Sequence, residues 1–139
     1  MTRLRRLVPL ALALACAAGS AACSRDSEVL AAVKEVDAFS TALVKTVNEA
    51  PSPAQGVAAA QSYLDQNRAR IQERLRSVKQ VRGFQISAET RKALEASFTS
   101  NAAAVAGLQL RYVSQAATDA GFRSKLEKLV NDYQSVLTD

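Results

Sequence analysis

The side chains able to do covalent or acid–base chemistry are few and unevenly placed. Two cysteines, Cys16 and Cys23, both fall within the first 24 residues, and in the whole chain of 139 there is no His and no Trp. Without His, the imidazole base of a Ser-His-Asp triad, a His-ligated zinc site and ordinary haem ligation are excluded. The Glu-x-x-His pairs of bundle-type di-iron centres are excluded for the same reason. What remains is carboxylate, lysine and tyrosine chemistry, and nothing in the spacing gathers those groups. Glu28, Glu35, Asp37 and Glu49 fall on polar faces, and the sequence holds no Gly-rich phosphate loop, nucleophile elbow or Ser-x-x-Lys pattern. Tyr63, Tyr112 and Tyr133 read as packing residues with a polar tip, because two of them continue apolar stripes. No catalytic residue, metal or cofactor is expected.

The cysteines have a more informative setting. Arg3, Arg5 and Arg6 form a basic start, Leu7 to Ala15 an apolar stretch, and Ala17-Ala18-Gly19-Ser20-Ala21-Ala22 a run of small residues; this is the order of a secretory signal peptide. The stretch to Ala22 is shorter than the roughly 20 residues that cross a bilayer core. Cys23 follows at once, with Ser24 after it, and Ser20-Ala21-Ala22-Cys23 resembles the processing site of bacterial lipoproteins. The resemblance covers residues 1–24. It implies that residues 1–22 are removed, that the Cys23 thiol and the amine freed beside it carry acyl chains, and that Ser rather than Asp after the cysteine sorts the protein to the outer membrane, facing the periplasm. Ser20 stands where Leu is usual in that family, so Ala13-Leu14-Ala15-Cys16 stays open as the processed site, although cleavage there would cut inside the apolar stretch. Cleavage without a lipid also stays open. The product would then be soluble in the periplasm or secreted, with Cys23 a free thiol or half of a disulfide.

Removal of the leader changes the charge. The 18 Lys and Arg less Arg3, Arg5 and Arg6 leave 15 against 13 Asp and Glu, a net of +2 instead of +5. The basic balance of the precursor is therefore largely a property of the discarded segment, and no nucleic-acid partner is expected. One cationic group persists in Arg68, Arg70, Arg74, Arg76 and Lys79. These are candidates for contact with anionic head groups or an acidic partner, set against a solvated face neutralised by local pairs such as Glu73 with Arg76. No aromatic residue interleaves with them, so there is no platform for stacking single-stranded bases.

What must position these groups is a small helical domain. Residues 23–27 read as the lipidated N-terminus and a short tether, and residues 28–139 as one domain with a single modest core. Four stretches carry apolar residues at helical spacing. The first runs from Glu28 to Glu49 through Val29, Val33, Val36, Leu43 and Val47 and ends at Pro51 and Pro53. Ser52 before Pro53, with Gln55 beyond, is a strong helix start. The second stretch carries Val57, Ala60, Leu64, Ile71, Leu75 and Val78 and is expected to stop near Gly83, with that glycine left-handed. Ser87 with Glu89 opens the third, which carries Leu94, Phe98, Val105, Leu108 and Tyr112. The fourth follows a break at Thr118 to Gly121, with Asp119 as its cap, and presents Phe122, Leu126, Leu129, Tyr133 and Val136.

Short connections predict an all-α, antiparallel up-down-up-down four-helix bundle with consecutive helices as neighbours. The alternative is a three-helix arrangement in which the chain only kinks near Gly121. Asn67 and Asn101 interrupt their stripes, 16 residues before and 18 residues after Gly83. In adjacent antiparallel helices they would lie at one level, so they are expected to pair across the core and fix register, with a polar ligand contact as the alternative.

These readings describe a membrane-anchored envelope lipoprotein, held to lipid through Cys23, whose bundle works by binding or assembly with another envelope protein and without catalysis. A carrier of a small apolar ligand is the second possibility, using a cavity left by the alanines between 102 and 106 and at 116 and 117. A carboxylate- or Lys-dependent enzyme is the third.

Overall fold

A computed structural model describes residues 24–138. The elements are α1 (Asp26–Glu49), α2 (Pro53–Lys79), α3 (Ala88–Arg111), α4 (Val113–Thr118) and α5 (Ala120–Thr138), with a 3-10 turn at Gly83–Gln85. Among the described residues there is no strand, and the fold is an all-α helical bundle.

The helix ends follow from local chemistry. α1 starts at Asp26, two residues earlier than the spacing of apolar residues suggests, with Asp26 and Glu28 putting negative charge on its first turn. It stops at Ala50, which is extended (φ −68°, ψ 152°) as the residue before a proline must be. Ser52 caps α2 by accepting from Gln55 N at 3.3 Å, and Pro53 takes the first position, where no N–H is needed. Ser87 caps α3 by accepting from Thr90 N at 3.1 Å, and Asp119 caps α5 by accepting from Phe122 N at 2.9 Å. The expected glycine stop does not occur. α2 ends at Lys79, Gln80 stays right-handed, Arg82 is extended, and no glycine among the described residues has a positive φ. The chain leaves the helix through a 3-10 turn instead, with Gln85 N bonded to Arg82 O at 2.8 Å and Gln85 Oε1 accepting from Arg82 N at 2.9 Å.

The long helices α1, α2, α3 and α5 alternate in direction, as short connections require. Their neighbours are not all consecutive, however. α1 packs against both α2 and α3, α5 packs against the same two from the other side, and α2 and α3 take opposite corners. α3 runs parallel to α1: Asp26 meets Ser87, Asp37 meets Ser97 and Asn48 meets Tyr112, at sequence offsets of 61, 60 and 64. A near-constant offset is the mark of parallel elements. Residues 80–87 carry the chain diagonally across one end of the bundle, and two bonds moor them under α1: Arg25 N to Gln85 O at 2.9 Å and Ser87 N to Asp26 Oδ1 at 2.8 Å. This end, where α1 and α3 begin and α2 and α5 finish, is the foot; the other is the head.

The main core joins Val36, Phe39, Leu43 and Val47 of α1 to Val57, Leu64, Ile71 and Leu75 of α2, Val105 and Leu108 of α3, and Phe122, Leu126, Leu129 and Tyr133 of α5. At its centre the Phe39 ring lies between Tyr63 and Tyr133, with centroids 5.6 and 5.9 Å away and near-parallel planes. A smaller cluster of Val29, Ala32 and Val78, with Val81, Ile86 and Leu94 against it, closes the foot.

Candidate functional site

Cys16 and Cys23 lie outside the described residues. No helix among the described residues is long and apolar enough to cross a membrane.

Asn67 and Asn101 do not pair. Because α2 and α3 stand at opposite corners, their seams do not meet. Asn67 is half-buried and gives its amide to Tyr63 O at 2.8 Å, within its own helix, while its oxygen accepts from Arg70 at 3.0 Å. Asn101 is buried and turns to α1, where Nδ2 donates to Asp37 Oδ1 at 2.6 Å.

The five cationic residues of α2 each have a partner inside the molecule. Arg70 and Arg74 both engage Glu35 of α1, the latter at 2.7 Å. Arg76 pairs with Glu73 at 2.5 Å, Arg68 lies 3.6 Å from Asp132, and Lys79 donates to Thr138 O at 2.6 Å. The side chains are spread along the helix and around it instead of forming one cationic face. Asp132 collects Lys128, Arg68 and Gln61; burial pushes its carboxyl up, but the hydrogen bonds and positive charges outweigh burial and hold it below its ordinary value.

A polar cluster between α1 and α3 was not legible from spacing. Ser97 Oγ donates to Asp37 Oδ1 at 2.5 Å, beside the Asn101 amide, which also lies 3.1 Å from Ser97 Oγ. One turn further along α1, Ser40 Oγ donates to Val36 O at 2.8 Å and lies 2.6 Å from Tyr133 Oη. The single hydroxyl proton of Ser40 is committed to Val36, so Tyr133 is the donor to Ser40. Tyr133 has no exposed surface. Burial pushes its phenol above its ordinary value, the Ser40 bond opposes that rise and the Asp37 charge adds to it. Such a phenol is held in its protonated form and shielded from solvent. The cluster joins α1 to α3 through Asp37, Ser97 and Asn101, and α1 to α5 through Ser40 and Tyr133.

The alanines of α3 and α4 do not enclose a cavity: Ala103, Ala104 and Ala117 are exposed, and Ala102, Ala106 and Ala116 are half-buried. The grooves are open to solvent. One of 370 Å³ follows the α1–α3 seam past Ser40, Val44, Asn48 and Asn101, and one of 260 Å³ lies between α2 and α5 at Val57, Gln61 and Lys128. Among the described residues no three acidic or thiol side chains gather closely enough to hold a metal ion.

The most exposed large apolar side chains lie at the two ends. Phe84, 82% exposed, is in the turn at the foot. Leu110 and Val113, 79% and 59% exposed, flank the break between α3 and α4 at the head. That break comes at Tyr112, whose hydroxyl donates to Asn48 Oδ1 at 3.1 Å and whose ring meets Phe122 edge-on at 6.0 Å. Anchored to both α1 and α5, Tyr112 ends α3, and its neighbours face outward. Sequence reasoning assigned none of these three exposed residues a role; Leu110 and Val113 lie off the stripe that ends at Leu108 and Tyr112, and that is the signal that marks them. No family model, curated protein or solved structure matches this chain.

Proposed function

We propose that the protein is a lipid-anchored envelope lipoprotein of the outer membrane, facing the periplasm, whose bundle acts as a binding or assembly module and performs no catalysis. The reading of its location rests on the Arg-rich start, the apolar stretch and Ser20-Ala21-Ala22-Cys23. The observation that carries the binding role is the pair Leu110 and Val113, held open to solvent at the head while the polar side chains of the interior bond to one another. Exposed apolar side chains beside a groove, here lined by Gln109, Ala116, Arg123 and Leu126, are a natural seat for an apolar surface of another protein. α1 is about 36 Å long at 1.5 Å per residue, so a chain tethered at the foot presents the head that far from the bilayer.

The test has two arms. Cys23→Ala is expected to abolish fatty-acid labelling and release the protein from the membrane fraction; labelling that persists there and disappears in Cys16→Ala assigns the lipid to Cys16. Cross-linking in intact envelopes, with the anchor in place, is expected to give a discrete partner that is lost when Leu110→Ser and Val113→Ser are combined. Unchanged cross-links in that variant, with helicity intact, would overturn the head as the binding surface.

A further inference from the structure

The foot carries the largest exposed aromatic surface of the described residues, and it lies where the chain enters the bundle. Phe84 is next in sequence to Gln85, whose carbonyl accepts from Arg25 N, and Asp26 fixes the other end of the turn through Ser87 N. From Arg25 back to Cys23 the chain is two residues, a span of at most about 7 Å even fully extended. If Cys23 is acylated, the turn cannot be far from the bilayer surface. From Cys16 the same span would be nine residues and at most about 32 Å.

We infer that the foot is a membrane-docking surface, with the Phe84 ring entering the head-group region of an anionic bilayer and basic side chains around it meeting lipid phosphates. This rests on the anchored reading given above. Charge favours it. Arg82 is exposed beside Phe84, Arg91 reaches over to Gly83 O at 2.9 Å, and Lys79 stands at the end of α2. Of the acidic groups at this end among the described residues, Asp26 is turned to Ser24 and Ser87, and Glu28 to Arg25 at 2.5 Å; Glu89 is in the first turn of α3. An aromatic ring flanked by cations is the composition that settles at a lipid–water boundary. The foot shares Lys79 with the cationic group of α2, whose arginines face Glu35, Glu73 and Asp132, whereas the cations at the foot border an apolar side chain that has no cover.

The chain contains no Trp, so Phe84→Trp gives a single fluorescent reporter at an open position, and Leu110→Trp gives its counterpart at the head. Each full-length protein, lipidated in its host, is reconstituted into vesicles of phosphatidylethanolamine and phosphatidylglycerol. Phe84→Trp is expected to show blue-shifted emission, loss of most iodide quenching and strong quenching by brominated lipid, while Leu110→Trp stays open to iodide. If Phe84→Trp remains as open to iodide as Leu110→Trp while acyl label is present on Cys23, docking is wrong and the anchored reading stands. Protection from iodide without quenching by brominated lipid means that protein covers Phe84, and lipid quenching of both reporters means that the bundle lies on its side; either overturns the inference. Absence of acylation on Cys23 overturns the anchored reading and this inference with it.

Discussion

α2 and α3 both lie along α1, yet they hold it by different means. α2 brings an apolar stripe, Val57, Ala60, Leu64, Ile71, Leu75 and Val78, all buried, with half-buried Asn67 as its one polar interruption. Near the hairpin the helices are in such close contact that a Cβ on Gly56 would lie 2.5 Å from Val47 O and 2.9 Å from Val47 Cα. α3 buries Val105 and Leu108 but otherwise Thr90 and Asn101, and its register with α1 is marked by Asp26–Ser87, Asp37–Ser97–Asn101 and Asn48–Tyr112. Apolar stripes supply most of the free energy of such a bundle and tolerate sliding. Discrete hydrogen bonds supply less and specify one alignment. A parallel neighbour, which no short hairpin enforces, is where that specification is most needed.

The comparison is most exposed to failure on the α2 side, where the effects are expected to be largest. Leu64→Ala removes a side chain with no exposed surface and is expected to cost about 2–5 kcal/mol in denaturant unfolding. Gly56→Ala must push α2 away from the Val47 backbone, at about 1–3 kcal/mol. A Gly56→Ala protein as stable as the wild type would mean that the close approach is not needed.

On the α3 side the expected loss is smaller and of another kind. Asn101→Ala withdraws one of the two side-chain donors from Asp37 Oδ1 and leaves Ser97, at about 1–3 kcal/mol. The sharper measurement is local. Amide exchange in α3 is expected to accelerate more than in α2, because the bonds removed align α3 alone. Equal acceleration in both helices would erase the distinction drawn between them.

The same difference explains what could be read from the sequence. Stripes, caps and prolines are local, and they revealed the helices: Ser52, Ser87 and Asp119 cap where the chain suggests. Pairing is not local. Assigning α3 to α2 assumed that a short connection makes neighbours, but residues 80–87 are long enough to cross the foot, and the bonds that draw them under α1 come from Arg25 N and Asp26, which read as tether. Asn101 was correctly singled out as polar in a stripe and given the wrong partner for that reason. Asp37, its true partner, falls on a polar face, and one carboxylate on a helix gives no sign of which neighbour will approach it. The exposed residues Phe84, Leu110 and Val113 left only a weak trace, an apolar side chain off the stripe or in a turn.

The smallest expected effect distinguishes the two attachments by their response to acid. Asp26 ties the start of α3 to the start of α1, and its carboxyl is held below its ordinary value, first by the hydrogen bond from Ser24 and then by that from Ser87 N. Since the folded value lies below the unfolded one, the stabilisation is fully present above the unfolded value, near 3.8, and is lost as pH falls through the folded value. Protection of the Ser87 amide is therefore expected to hold from neutral pH to about pH 5 and to decline below about pH 4, while α2 amides around Leu64 keep theirs over the same range. Glu28 is also held low, by its hydrogen bond from Arg25, and would loosen the foot in the same direction. Asp26→Asn separates the two: it keeps an acceptor for Ser87 N but has no titrating carboxyl, so the part of the acid response that disappears in that variant belongs to Asp26. An undiminished decline in Asp26→Asn would remove Asp26 from the account, and a decline in α2 amides as steep as that at Ser87 would show that acid weakens the whole bundle and not the parallel seam.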